Sequence, residues 1–141
     1  MSRTESFSAA HRLHSEALSP EENRAIYGKC NNEWGHGHNY KVILTVVGLR
    51  HPATQMVVSI DVLRELLAPA VAELDHHHLD REPRSAGFPP IGISTAEGLA
   101  EWFWTVCSAG LHRKRLMSLA QVRLYCVEII ETECNVVRYY G

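Results

Sequence analysis

The sequence predicts an α+β domain in which an antiparallel sheet carries two helices on one face. Strand-like alternation occurs in the first and the last third of the chain, and two apolar patterns with helical spacing lie between them. The chain has 141 residues, of which 45% are hydrophobic and 21% are charged. This length and composition favour one globular domain over residues 1–141.

The first third of the chain is predicted to contain two strands and a short helix. The segment 5–13 mixes polar and apolar residues in a strand-like manner. Ser19 is a candidate cap for a helix that ends at Tyr27, and Pro20 suits the first helical position. After a loop over 29–35, strict alternation over His36–Val47 predicts a long strand.

The middle of the chain is predicted to form a hairpin strand and a helix. A turn over Pro52–Gln55 would lead into the second strand of the hairpin, over Met56–Ile60. Asp61 is predicted to cap a helix that reaches Leu74. Pro69 lies inside this pattern and would kink the helix or end it early.

The last third is predicted to hold the second of the two long helices and two further strands. The run Ser94–Glu97 has capping-box spacing and opens a helix to about Ala109. Alternation that begins at Gln121 predicts a strand over Val122–Thr132, and another strand follows over Asn135–Tyr140. Four or five antiparallel strands leave open sheet edges, and a subunit interface is one way to cover them.

Charge and patterning exclude several function classes. The net charge is −2 and the pI about 6.5, so neither nucleic acid nor a membrane is expected as a partner. No apolar run approaches the roughly 20 residues that span a bilayer, and the first residues lack the apolar core of a signal peptide. We therefore expect a cytoplasmic protein whose four cysteines, which form no C-x-x-C pair, are reduced thiols.

The most informative motif is the triplet His36-Gly37-His38. Residues two apart in a strand point to the same side, so both imidazoles face one place. Two neutral imidazoles are half of a tetrahedral zinc site, and a third ligand must come from elsewhere. His11 is the first candidate and His14 the second. Two exposed histidines with no ligand would show the same spacing.

Other polar residues are candidates for catalysis or binding. Cys30 precedes His36 by six residues and is either a fourth metal ligand, a nucleophile or base, or an inert thiol. Asp75 with His76, or His78 with Asp80, has the carboxylate–imidazole composition of a general acid–base pair. The run of three histidines that contains them is equally typical of a metal site or a solvated loop.

A carboxylate near the end of an apolar strand is a further candidate. Glu131 follows Ile129 and Ile130, and burying its charge without a partner would be costly. The donor edge of a ligand with guanidine-like geometry would supply that partner, and a solvated strand end is the alternative. Glu97 is explained by the predicted capping box without a ligand.

These motifs, taken in order, resemble the 6-pyruvoyltetrahydropterin synthase family. The similarity runs from about Ser6 to Gly141 and rests on six segments, namely Phe7–Leu13 (FSAAHRL), Gly28–Asn32 (GKCNN), Gly35–Val42 (GHGHNYKV), Leu74–His76 (LDH), Ser94–Glu97 (STAE) and Glu131-Thr132. The resemblance implies a tunnelling fold, which is a four-stranded antiparallel sheet with two helices. It also implies trimers that close into a barrel, and two trimers stacked into a homohexamer.

The resemblance further implies a lyase of tetrahydrobiopterin biosynthesis. Such an enzyme converts 7,8-dihydroneopterin triphosphate to 6-pyruvoyltetrahydropterin and triphosphate, with one Zn²⁺ per subunit and Mg²⁺ as a candidate companion of the triphosphate. By the same resemblance His11, His36 and His38 match the zinc ligands, and Cys30 matches the catalytic thiol. Asp75 and His76 match a catalytic pair that comes from a neighbouring subunit, and Glu131 matches the carboxylate that anchors the pterin. A segment of the pterin pocket is matched by Ser94, Thr95 and Glu97.

Two alternatives to this function stay open. The related 6-carboxytetrahydropterin synthases of the queuosine pathway use the same substrate and metal but release acetaldehyde, and they usually have a shorter gap between cysteine and histidine. The C-x5-H-G-H spacing here therefore favours the pyruvoyl product. A zinc- and pterin-binding protein without turnover is the second alternative, and the presence of Cys30, Asp75, His76 and Glu131 argues against it.

Overall fold

The computed structural model describes residues 1–113 and 122–141. Four strands and three α-helices lie in these ranges, and a short 3-10 turn over Gly28–Asn31 follows the first helix. In chain order the elements are β1 (Ser2–His11), α1 (Pro20–Tyr27), β2 (His36–Val47), α2 (Ile60–Leu74), α3 (Ala96–Arg113), β3 (Arg123–Ile130) and β4 (Val136–Tyr139). Gln121, where the predicted alternation begins, lies outside the described residues.

The strands form one antiparallel sheet in the order β1-β2-β3-β4. In the register of β1 with β2, His11 lies opposite His36 and Ala9 lies opposite His38. The predicted α+β class is therefore confirmed. The register also brings the start of β2 beside the end of β1. The sequence alone does not determine this register.

The core lies on one face of the sheet. Alternate residues of β2, from Tyr40 through Val46, are fully buried there, as are Phe7 and Ala9 of β1. Helices α2 and α3 cover this face with apolar side chains that recur at helical spacing, namely Leu63, Leu66, Leu67, Ala70 and Leu74 from α2, and Leu99, Phe103 and Cys107 from α3. Both long helices thus pack on one side, as the sequence predicts. Among the described helices, none is long and apolar enough to cross a membrane.

The predicted hairpin strand over Met56–Ile60 is wrong. Both edges of β2 are already paired, one with β1 and the other with β3, so a strand folding back from β2 would find no free edge. The chain instead closes a tight loop through a bond from the amide of His51 to the carbonyl of Met56, and α2 begins at Ile60. The helix cap is Ser59, which accepts a hydrogen bond from the amide of Asp61, so the predicted cap at Asp61 is also wrong. Pro69 lies inside α2 on its exposed side, and the helix continues past it to Leu74.

The start of α3 differs by one residue from the predicted capping box. The cap is Thr95, whose hydroxyl accepts a hydrogen bond from the amide of Gly98 at 3.1 Å. Ser94 therefore lies outside the helix, and its buried side chain is available for other contacts. This shift places Ser94 in the site described below.

The free edge of β1 is partly covered by the segment that follows α2. The amide of His76 donates to the carbonyl of Ser8, and the amide and carbonyl of Ala10 bond with the carbonyl of His77 and the amide of Leu79. A parallel bridge pairs Ala10 with His78. The histidine-rich segment thus runs beside the last residues of β1 and is held there by a single bridge and these backbone bonds.

Candidate metal centre

Three imidazoles meet at one end of the sheet on its core face. His11 ends β1, His36 begins β2, and His38 follows two residues later on the same face. One ring nitrogen from each residue lies within 4.8 Å of the others, and Nε2 of His11 is 3.0 Å from Nε2 of His36. Three neutral imidazole nitrogens at this spacing suit a Zn²⁺ site with an open fourth position.

Hydrogen bonds fix the ring of His11, the most buried of the three. Its side chain is only 1% exposed, and Nδ1 donates to the backbone carbonyl of Ser94 at 2.9 Å. This bond requires the proton to be on Nδ1, which leaves the lone pair of Nε2 directed at the other two rings. His14, the second candidate for the third ligand, instead accepts a hydrogen bond from the side chain of Asn31.

The other two histidines are held in the form that binds metals. Burial lowers the pKa of His36, and the neighbouring ring of His38 lowers it further, while Glu131 acts in the opposite direction. Burial likewise lowers the pKa of His38. Among the described residues, no hydrogen-bond partner reaches the buried Nδ1 of His36. The residues present therefore fit a metal ion better than a cluster of protonated imidazoles.

The carboxylate of Glu131 lies beside this group. Its Oε1 is 3.9 Å from Nε2 of His11 and 3.9 Å from Nε2 of His38, and the side chain is 18% exposed. The amide of Glu131 donates to the carbonyl of Asn135, so the residue opens the turn between β3 and β4. Glu131 is thus turned towards the imidazoles, and the alternative of a solvated strand end does not describe its position.

Cys30 lines an open cleft that reaches two of the histidines. The cleft has a volume of about 590 Å³ and includes Cys30, His36 and His38 in its wall. The Cys30 side chain is partly exposed and is not one of the three groups that meet within 4.8 Å. The thiol therefore lies where it can meet a ligand that also reaches the imidazoles.

Asp75 and His76 form a hydrogen-bonded pair at a different place. Oδ1 of Asp75 accepts from the amide of Ser8 at 2.8 Å, and Oδ2 lies 3.0 Å from Nδ1 of His76. The bond from Ser8 is the main reason that the pKa of Asp75 is lowered. His76 has a φ of 63° and a side chain that is 80% exposed. His76 borders a second cleft, which is also lined by Ser8, Asn39 and His38, so that His38 lies in the walls of both clefts.

The three predicted pterin-pocket residues differ in their surroundings. Thr95 caps α3, Glu97 is exposed in the first turn of that helix, and Ser94 is buried against His11. Asp80, which the sequence suggested as a carboxylate partner of His78, supports His11 in the structure. Oδ2 of Asp80 accepts from the hydroxyl of Ser94 at 2.9 Å and from the amide of Arg12 at 2.7 Å, so it ties together the two neighbours of His11.

Comparisons with known proteins show what the chain is similar to over its whole length. The sequence profile of the 6-pyruvoyl tetrahydropterin synthase family matches residues 1–141. The chain is 43% identical to the 6-pyruvoyl tetrahydrobiopterin synthase of Poecilia reticulata and 41% identical to that of Homo sapiens, covering all of this chain and 89% and 90% of those proteins. The solved structure of Caenorhabditis elegans 6-pyruvoyl tetrahydropterin synthase is similar at a TM-score of 0.85 and 36% identity, over 100% of this chain and 94% of that one.

Proposed function

The chain belongs to the 6-pyruvoyl tetrahydropterin synthase family, and from this premise we propose that it converts 7,8-dihydroneopterin triphosphate into 6-pyruvoyltetrahydropterin and triphosphate. The observation that carries the proposal is the meeting of three imidazoles with Glu131 and the Cys30 cleft, in a chain matched over its whole length by synthases of this name. The reaction is a lyase step of tetrahydrobiopterin biosynthesis. Elimination of the triphosphate and internal rearrangement need no external redox cofactor.

His11, His36 and His38 would hold one Zn²⁺ per subunit. When bound, the ion supplies Lewis-acid polarisation of substrate oxygens, which acidifies neighbouring C–H groups. The chain contributes the neutral imidazoles, because burial keeps the pKa of His36 and of His38 low. The bond from His11 to Ser94 sets the ring orientation before any ligand arrives.

Proton transfer is assigned to Cys30 and to the pair formed by Asp75 and His76. The Cys30 thiol borders the cleft beside His36 and His38, and it would take or return a proton on one side of the substrate. The imidazole of His76, oriented by Asp75, would act on the opposite side. Because His76 faces outward in its own chain, we assign this second role to the pair of a neighbouring subunit.

The pterin ring is assigned to the carboxylate of Glu131. Two acceptor oxygens match the amino and N–H groups of an aminopyrimidinone edge, and the side chain is mostly shielded from water. Its position beside the imidazoles would bring the substrate side chain close to the metal. The neighbouring residues Ser94, Thr95 and Glu97 complete the proposed pocket, with Ser94 acting through His11.

A shared site requires an assembly, which we propose to be a trimer-based homohexamer. The histidine-rich segment covers the edge of β1 next to Ser8 and Ala10, and the opposite edge of the sheet is β4. Pairing of these edges between subunits would extend the sheet into a closed barrel. Light scattering of dilute protein should then give the mass of six subunits, and a fully active monomer would contradict the assembly.

One assay separates the three possible functions. Purified zinc-loaded protein is mixed with 7,8-dihydroneopterin triphosphate, and the products are identified by mass spectrometry. Triphosphate with 6-pyruvoyltetrahydropterin supports the proposal, while acetaldehyde with the 6-carboxy pterin would assign the queuosine-pathway reaction. Binding without turnover would show a pterin-binding protein. Cys30→Ala, carried through the same purification, controls for contaminating activity.

A further inference from the structure

Two buried asparagines hold the loop over residues 12–19, which joins the end of β1 at His11 to α1. Asn23, in α1, receives the amide of Ser15 on its side-chain oxygen and donates from its side chain to the carbonyls of Ser15, Leu18 and Ser19. Asn31 holds the other end of the same segment, close to His11. Their relative exposures are 0% and 8%, which is low for asparagine. The two residues are chemically identical and differ in what they connect.

Asn31 connects the turn that carries Cys30 to the residues just after His11. Its side-chain nitrogen donates to the carbonyl of Leu13 at 2.7 Å and to Nδ1 of His14 at 3.1 Å, so both N–H groups are used. Two more bonds join the same two parts of the chain, one between backbone groups and one from a side chain to the backbone. The amide of Leu13 donates to the carbonyl of Cys30 at 2.9 Å, and Nε of Arg12 donates to the carbonyl of Asn31 at 3.2 Å.

The turn itself is short, and Asn31 is the buried one of its four residues. The turn has exposed residues at Gly28 and Lys29, and Asn32 just after it is exposed as well. A single 3-10 turn of this length is not stable alone, so contacts with the rest of the chain decide where it lies. In this turn Asn31 directly follows Cys30.

We propose that Asn31 is a positioning residue, which fixes the Cys30 thiol relative to the three-histidine group by tying its turn to Leu13 and His14. Because Leu13 lies two residues after His11, the tie joins the thiol to a metal-binding strand in one chain. The effect on turnover rests on the proposed function, in which Cys30 transfers a proton. Placement of the thiol does not rest on it, because it can be measured without substrate.

The test compares Asn31→Ala with Asn23→Ala in a Cys134→Ser background. Cys134 is exposed and would otherwise react with thiol reagents, while Cys107 and Cys126 are buried. Both asparagine variants lose a buried side chain with several hydrogen bonds and should lower the melting temperature. Only Asn31→Ala should change the rate at which iodoacetamide alkylates Cys30, by about tenfold, because only this variant removes the side-chain bonds from the turn to Leu13 and His14. It should also lower kcat by about 10–100-fold, with KM and zinc content near those of the parent.

Each outcome has a distinct meaning. If alkylation and kcat change equally in Asn31→Ala and Asn23→Ala, Asn31 is a stabilising residue only and the proposal is overturned. Loss of zinc in Asn31→Ala would also overturn it, since the thiol would then not be the group that is positioned. A changed alkylation rate with unchanged kcat would support the placement and contradict the catalytic role of Cys30. If Asn31→Ala does not fold, His14→Leu removes one of the two side-chain bonds, and an unchanged alkylation rate there would overturn the proposal.

Discussion

The two groups of histidines on either side of β1 differ sharply in how far one chain completes them. His11, at the end of β1, is 1% exposed, and its two ring partners come from the adjacent strand. His76, bonded to the edge of β1 through the carbonyl of Ser8, has a side chain that is 80% exposed. The first group is built by sheet register inside one subunit. The second has one carboxylate partner, Asp75, and presents its imidazole outward.

The difference indicates what each group can do alone. A buried cluster of neutral imidazoles with a nearby carboxylate has its geometry set before a ligand binds, so it suits metal and substrate binding. An exposed imidazole on a carboxylate has the right composition for proton transfer but lacks a substrate-enclosing wall. This difference predicts that a substitution in the first group impairs the site of its own subunit, whereas a substitution in the second group impairs the site of a neighbouring subunit.

The largest expected effect is loss of the metal from the buried group. His36→Ala removes one of three imidazole ligands, and the zinc content of the purified protein should fall from about one per subunit to nearly none. His77→Ala is the matched control, because His77 is an exposed histidine whose ring contacts Glu82. Metal analysis of both variants decides the point. Unchanged zinc in His36→Ala would remove the basis for the three-histidine site.

The second effect separates chemistry from metal binding at the same site. Cys30→Ala should keep its zinc and its affinity for the substrate, because the thiol is outside the three-imidazole group. Turnover should fall by about 10²–10⁴-fold, the usual range for removal of a general acid or base. Parallel measurement of zinc content, substrate binding and kcat tests this. If the variant loses its metal, Cys30 is a ligand and the assigned role is wrong.

A third substitution tests whether Glu131 recognises the pterin. Glu131→Gln keeps the shape of the side chain but offers one acceptor and one donor where two acceptors are needed. A charge-assisted bond contributes about 1.5–3 kcal/mol, so pterin binding should weaken by about 10–100-fold while zinc content stays constant. Calorimetric titration with a pterin that lacks the triphosphate, and therefore cannot undergo the elimination, measures the change. Unchanged pterin affinity would redirect the search to Glu97, whereas reduced zinc content would show that the carboxylate 3.9 Å from His11 supports the metal.

A fourth substitution tests support for the buried group from outside it. Asp80→Ala removes the acceptor of both the Ser94 hydroxyl and the Arg12 amide, so the residues on either side of the His11 ring are held less firmly. Zinc affinity, measured by competition with a chelator, should fall by about 10–100-fold. Glu82→Ala is the control. The Glu82 carboxylate also accepts a hydrogen bond in this turn, from the amide of His78, but the imidazole that it contacts is that of His77 and not that of His11. Equal affinities in the two variants would show that Asp80 only stabilises the turn.

The sequence predicted some parts of this site and missed others for physical reasons. The shared orientation of His36 and His38 follows from the two-residue period of a strand, so it is visible locally. His11 is the first candidate for the third ligand in the sequence, and the family resemblance matches it. Its meeting with the other two histidines depends on the register of β1 against β2, which one sequence does not specify. Ser94 was assigned to a helix cap because Ser94–Glu97 fits the capping pattern, yet Thr95 fits the neighbouring frame and caps α3 instead. Asp80 acts across 14 residues of chain to Ser94, and local patterns carry no signal at that range.

The smallest effect bears most directly on the difference between the two histidine groups. Cys30→Ala and His76→Ala should each be nearly inactive, and they are mixed in equal amounts under conditions that dissociate and reassemble the subunits. If each site takes Cys30 from one subunit and His76 from its neighbour, half of the sites receive an intact thiol and half of those an intact imidazole. Activity should then return to about one quarter of the parent level. If both groups act within one chain, every subunit carries one defect and mixing restores no activity. That result would place the exposed pair of Asp75 and His76 outside the catalytic machinery of its neighbour.

Mixing His36→Ala with Cys30→Ala is the matched control. Both residues belong to the part of the site that a single chain completes, so no activity should return.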